Sequence, residues 1–208
     1  MKKEKLKILL GVTGSVASIL TTKLVDALQK EGHEVKVVFT KAGAWFWNFK
    51  DLNFEFYTDE DEWKRPYVRG NDILHIELRK WADMLVIAPL SANTLAKLAH
   101  GMSDNLLTSI VLAWDREKPI VIAPAMNTNM WENPRAQRNL NDFKDPALGL
   151  NVFCQLPVSK TLACGDSGVG AMASVKDIVL ATYLAWQNRN RSDCSKKVRM
   201  PSFRVTEG

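Results

Sequence analysis

The chain has 208 residues, 46% of them hydrophobic and 25% charged, the composition of a globular domain long enough to bury a real core. No apolar run approaches the ~18–20 residues of a membrane span, and the two longest, near 84–90 and 120–126, are broken by proline, so membrane-embedded and disordered classes are excluded. The net charge of +5 sits at the ends: residues 1–7 carry four Lys and one Glu, residues 188–208 carry six basic and two acidic residues, and the body between has 18 basic and 20 acidic residues. A nucleic-acid face needs its basic excess on the fold itself, so nucleic acid is not an expected partner.

Three cysteines, Cys154, Cys164 and Cys194, have neither metal-ligand spacing nor an even-numbered framework. No metal site is expected, and a reducing compartment is. MKKEKLK followed by ILLGVTGSVAS imitates a secretory leader. Gly11, Thr13, Gly14 and Ser15 nevertheless fall where a strand-to-helix turn needs them, so a cytoplasmic protein is expected.

In chain order, 6–12 is expected as a strand. Residues 15–30 follow as a helix with Val16, Ile19, Leu20, Leu24 and Leu28 at helical spacing, closed by Gly32. A second strand over 35–40 leads into an aromatic stretch, 45–49, and an acidic loop, 58–62. Then come a short helix at 76–81, a strand at 84–89 apolar on both faces, and helices at 91–100 and 105–114. A strand at 120–123, a helix at 135–142, a strand at 152–154 and a closing helix at 175–187 complete the body. Continuous Val/Ile/Leu strands alternating with helices predict an α/β fold, a doubly wound parallel sheet sandwiched by helices. The organisation expected is one domain over 6–187, with basic, disordered ends at 1–5 and 188–208. Ligands in such a sheet bind beyond the carboxyl ends of the strands.

Four segments occupy those ends. Gly11-Val-Thr-Gly14-Ser15-Val16 opens the first helix; its backbone N–H groups would suit an anion, with Thr13 and Ser15 adding hydroxyls, and a capped glycine turn is the plainer alternative. It is not G-x-G-x-x-G, so a nicotinamide dinucleotide is not indicated. Ser91-Ala92-Asn93-Thr94 brings three small polar residues to a helix start that needs one for capping, and the surplus points to a phosphate or a heterocycle. In Pro124-Ala125-Met126-Asn127-Thr128-Asn129-Met130-Trp131, a loop amide between methionines needs a hydrogen-bond partner and could orient a carboxylate. The fourth is 40–43.

His75 precedes a helix as a cap or surface residue unless a second group converges on it; His33 and His100 are read as bland. Cys164-Gly-Asp-Ser-Gly168-Val-Gly170 is either a mobile surface loop or a lid carrying a thiol. Trp45, Phe46 and Trp47 read as core or subunit interface in preference to a cofactor wall.

LHIELRKWAD, APLSANTLAKLA, SDNLLT, PAMNTNMW and LACGDSGVGAMA occur in one order. That set resembles the flavin-dependent cysteine decarboxylases, and among them the phosphopantothenoylcysteine decarboxylases, over most of 6–187. The resemblance implies a flavodoxin-like fold, bound FMN, and a homotrimer with its active site between subunits. It implies decarboxylation of 4′-phosphopantothenoylcysteine to 4′-phosphopantetheine in coenzyme A biosynthesis. The implied route is transient oxidation of the thiol carbon to a thioaldehyde, loss of CO2 to an enethiol, and re-reduction by reduced flavin. His75 would be the base, Asn127 would hold the carboxylate, and Cys164 would donate the late proton. Met130 and Ala163 would contact substrate. Gly14, Ser15, Val16, Thr40, Ser91, Ala92, Asn93, Thr94 and Ala125 would contact FMN. Where relatives often carry Thr-Lys-Ser-Ser this chain has Thr40-Lys41-Ala42-Gly43, and Asn129 replaces a usual apolar residue. The length matches the stand-alone form of eukaryotes, without the fused synthetase domain common in bacteria. Two other activities belong to the same fold. Oxidative decarboxylation of a peptide C-terminal cysteine needs no reductive step, which Cys164 argues against. A phosphatase-binding regulatory protein would not need His75, Asn127 and Cys164 together.

Overall fold

The computed structural model describes residues 4–64, 68–161 and 167–189. Six parallel strands form its sheet: β1 (Lys7–Val12), β2 (Glu34–Phe39), β3 (Phe56–Tyr57), β4 (Met84–Leu90), β5 (Pro119–Pro124) and β6 (Asn151–Cys154). Their order is β3-β2-β1-β4-β5-β6. The chain leaves β1 towards one edge and returns across it to β4, so the direction of winding reverses between β1 and β4. A crevice opens there at the carboxyl ends.

Alternation within each strand explains why these segments are apolar throughout. Ile8, Leu10 and Val12 enter one core with Val37, Phe39, Val86 and Val121, whereas Leu9 enters the other with Val38, Leu85, Ile87, Ile120 and Ile122. Both faces are covered, so no position can be polar without a partner. The first core is closed by α1 (Thr21–Lys30) and α9 (Val175–Asn188), the second by α4 (Leu74–Trp81), α5 (Ala92–Ala99), α6 (Leu106–Leu112) and α8 (Pro134–Lys144).

The expected strands are all present, and three pieces differ from expectation. The first helix begins as a 3-10 turn over Val16–Leu20, because the Thr21 hydroxyl donates back to the Ser18 carbonyl at 2.6 Å before α1 starts. The 58–62 loop is a helical turn, α3 (Asp59–Glu62), preceded by the two-residue edge strand β3. The glycine-rich stretch expected as a loop or lid contributes β8 (Ser167–Ala171), which pairs antiparallel with β7 (Val158–Thr161). Two short helical turns, α2 (Lys41–Ala44) and α7 (Thr128–Glu132), follow β2 and β5.

At the amino end, the expected disorder of 1–5 does not extend to Glu4 and Lys5. Lys5 pairs with Glu34 at 2.8 Å, and Glu4 accepts the Trp186 indole N–H at 2.8 Å. The expected tail of 188–208 begins two residues early, since Asn188 ends the last helix and Arg189 caps it; the rest, Cys194 included, lies outside the described residues. Among the described residues no helix is long and apolar enough to cross a membrane.

Candidate active site

Thr13 follows β1 and is fully buried. Its hydroxyl donates to the Pro89 carbonyl at 2.9 Å and accepts the Ser91 N–H at 2.7 Å. Thr13 is therefore no ligand donor, contrary to the sequence reading; it ties the turn after β1 to the turn after β4 across the crevice. Ser91 in turn caps α5, accepting the Thr94 N–H at 3.3 Å and donating to the Thr94 hydroxyl at 3.2 Å. The first N–H groups of a helix have no partner inside it. Those of Ala92 and Asn93 therefore remain for a ligand, and both residues line the cavity in the crevice.

That cavity, about 1090 Å³, is bordered by every residue expected to contact cofactor: Gly14, Ser15, Val16, Thr40, Ser91, Ala92, Asn93, Thr94 and Ala125. On its border a Cβ on Gly14 would stand 2.6 Å from the Ala42 Cβ, so the turns after β1 and β2 already touch. Gly43 lies against the Val12 carbonyl, where a Cβ would come to 2.4 Å; its N–H reaches the Thr40 hydroxyl at 3.2 Å. The glycine is thus demanded by close approach. The free N–H groups at the start of α5, facing this cavity across from those turns, fit an anionic group such as the phosphate of a flavin nucleotide. The aromatic cluster divides: Trp47 packs with Phe39 in the core, whereas the exposed Trp45 and its edge-on neighbour Phe46 line the cavity. Core packing therefore holds for Trp47, while Trp45 and Phe46 stand at the cavity mouth with Trp45 exposed.

The segment after β5 forms the other side. Asn127 caps α7, its Oδ1 accepting the Asn129 N–H at 2.8 Å, and Asn127 and Met130 both line the cavity. Asn129, placed where an apolar residue is usual, is exposed and displaces nothing from the core. β8 holds this segment in place. The Gly170 carbonyl accepts the Met126 N–H at 2.9 Å, and a Cβ on Gly170, whose φ is +155°, would stand 2.3 Å from the Met126 carbonyl oxygen. Gly168 lies equally close to Thr128. These glycines let the hairpin lie flat on the Asn127 turn, so they belong to a docked strand. Cys164 and Ala163 lie outside the described residues.

Sequence reasoning missed Lys41, Asp59, Lys97 and Lys160 at the cavity. The signal for Asp59 was the run Asp59-Glu60-Asp61-Glu62, which works as a set of caps. Asp59 accepts the N–H groups of Leu106 at 3.0 Å and Lys41 at 3.3 Å, the first residues of α6 and α2. Burial pushes its carboxyl above the ordinary value despite those two donors. Asp61 closes a capping box with Thr58. Glu62 accepts the His75 backbone N–H at 3.0 Å, at the start of α4. Three acidic residues in one turn, Asp59, Asp61 and Glu62, thus anchor the amino ends of four short helices.

His75 is the exception among the expected site residues. It sits on α4 beside α3, its side chain 25% exposed, with Nδ1 2.6 Å from Glu62 Oε1, and it is not among the residues lining this chain's cavity. The second group sought in the sequence is present and is Glu62, but a substrate in the chain's own cavity is not where the pair stands.

Known proteins match this arrangement. The model of the Flavoprotein family covers residues 1–184. Phosphopantothenoylcysteine decarboxylase of Oryza sativa subsp. japonica is 52% identical over 183 residues, covering 87% of this chain and 81% of its own. Among solved structures, a cysteine-to-serine variant of PPC decarboxylase complexed with pantothenoylaminoethenethiol superposes with a TM-score of 0.82 at 46% identity, covering 88% of this chain and 100% of that one. The FMN binding protein AtHal3 superposes with a TM-score of 0.79, also at 46% identity, covering 89% and 98%. By sequence over most of its length and by fold, the chain belongs to the flavoprotein family, in its phosphopantothenoylcysteine decarboxylase branch.

Proposed function

We propose that this protein binds FMN and decarboxylates 4′-phosphopantothenoylcysteine to 4′-phosphopantetheine, a step of coenzyme A biosynthesis. The observation that carries the reading is one cavity of about 1090 Å³ bordered both by the free N–H end of α5 and by Asn127 and Met130. Gly14, Ser15, Val16 and residues 91–94 would hold the phosphate end of FMN, with Thr40 and Ala125 beside it. When bound, FMN supplies a two-electron acceptor that returns its electrons later, so the net change is loss of CO2.

The chain's own residues do the remaining work. Asn127 holds the substrate carboxylate through its amide N–H groups while Oδ1 stays on the Asn129 N–H. Met130 and Ala163 bound the substrate. His75 takes the thiol proton, and Cys164 donates a proton in the last, reductive half. Because His75 lies off its own cavity, it acts at the cavity of a neighbouring copy, and a homotrimer with sites between subunits supplies that arrangement. A cytoplasmic, reducing setting keeps Cys164 as the thiol the last step needs.

The test is the visible spectrum of the purified protein before and after anaerobic addition of phosphopantothenoylcysteine. Flavin bands near ~370 and ~450 nm, CO2 release, and restoration of the bands after turnover are expected. A colourless protein that neither takes up added FMN nor releases CO2 would refute the reading.

A further inference from the structure

Glu62 is 95% buried at the side chain and points both carboxylate oxygens at one residue: Oε2 receives the His75 backbone N–H at 3.0 Å, and Oε1 stands 2.6 Å from His75 Nδ1. A carboxylate can only accept. In the neutral ring the proton must therefore sit on Nδ1, which leaves the lone pair on Nε2. We propose that Glu62 is a positioning residue for His75, fixing the Nδ1–H tautomer so that Nε2 is the basic atom. This rests on the reading of His75 as the base.

The proton balance is simple. The S–H bond of a substrate thiol breaks, its electron pair stays on sulfur, and the proton forms a new bond to Nε2. The imidazolium that results keeps its Nδ1–H on the Glu62 carboxylate, which offsets the new positive charge. Without that partner, an imidazole has no reason to prefer the tautomer with a basic Nε2.

The geometry also says how to separate this role from helix capping. In Glu62→Gln the backbone N–H of His75 can only donate, so it claims the amide oxygen and preserves the cap. The amide NH2 then faces Nδ1, which must accept, and the ring is driven to the Nε2–H form with no base. Glu62→Ala removes both contacts and leaves the ring to sample both tautomers. Positioning therefore predicts an inverted order: Gln is the more stable variant and the less active one.

The experiment uses full-length, FMN-loaded protein with labelled histidine; the chain has only three, His33, His75 and His100, so the ring ¹⁵N signals are assignable. Wild type should show His75 protonated at Nδ1, and Glu62→Gln should show it protonated at Nε2. The turnover number of that variant should fall about 10²–10⁴-fold, with KM little changed and with a melting temperature above that of Glu62→Ala. An unchanged tautomer, turnover within about twofold of wild type, or Glu62→Ala less active than Glu62→Gln would overturn the proposal. His75→Asn in the same assay distinguishes the two claims. Retained turnover there refutes the base reading, and with it a catalytic consequence for Glu62. Loss of turnover there with Glu62→Gln unimpaired refutes Glu62 alone.

Discussion

Replacing Thr13 by valine probes the tie across the crevice with almost no change of shape. The hydroxyl has no solvent access and makes two bonds, to the Pro89 carbonyl at 2.9 Å and from the Ser91 N–H at 2.7 Å. The Pro89 carbonyl keeps a partner after the change, because the Thr13 backbone N–H also reaches it at 3.3 Å. The Ser91 N–H loses the hydroxyl and faces a methyl group. One buried donor left unsatisfied costs about 1–3 kcal/mol. For a chain of this size each kcal/mol lowers Tm by about 2–4 °C, so Thr13→Val should melt roughly 4–8 °C below wild type when free of FMN, taking about 2 kcal/mol as the central cost. Ser91 also caps α5, whose first N–H groups border the cofactor cavity. FMN should therefore bind more weakly, and the gap in Tm should widen when FMN is added in excess to both proteins. Thr13→Ser, which keeps the hydroxyl, is the control and should recover most of the loss. A Thr13→Val protein that melts with wild type, with and without FMN, would refute the staple.

Three other outcomes are expected. Gly170→Ala places a Cβ 2.3 Å from the Met126 carbonyl oxygen at a φ of +155°; lifting β8 off the Asn127 turn should raise KM while the protein stays yellow, and steady-state kinetics alongside flavin absorbance will detect it. Burial pushes the Cys154 thiol up to about 11, so at pH 8 only about one thiol in a thousand is thiolate. Peptide mass mapping after alkylation should find Cys154 unmodified in folded protein and modified after denaturation; prompt native labelling would contradict that burial. Finally, inactive His75→Asn and inactive Asn127→Asp proteins, unfolded together and reassembled in equal amounts, should regain about a quarter of wild-type turnover if each site joins two copies of the chain. No recovery would place both residues in one subunit's site.

Much of this protein is legible without its structure. Apolar runs buried on both faces specify the sheet, because a parallel strand covered by helices on each side has no solvent face to mark with polar residues. The small polar residues at 91–94 exceed what helix capping requires, and that surplus pointed to the sheet edge where the cavity lies. Local sequence could not assign the two threonines correctly: Thr13 and Thr94 look alike as donors, yet which one is consumed depends on Pro89 and Ser91 arriving from 76 and 78 residues away. The glycines of β8 read as flexible because glycine allows many conformations. Their use here, as room for one backbone to lie on another, exists only when the Met126 turn is already in place.

The acidic turn is the clearest division. Its composition announced charge and no more, since a run of four acids is ordinarily a solvated face. Tertiary packing brought the amino ends of α2, α4 and α6 to it and buried the Glu62 carboxylate against His75, 13 residues ahead in the chain. Sequence alone determined that this is a parallel α/β sandwich and pointed to its strand-end turns for a ligand, because apolar patterning and turn chemistry are local. The structure decided which hydroxyls are staples, which glycines are contacts and which carboxylate meets the histidine, because each of those depends on what stands opposite.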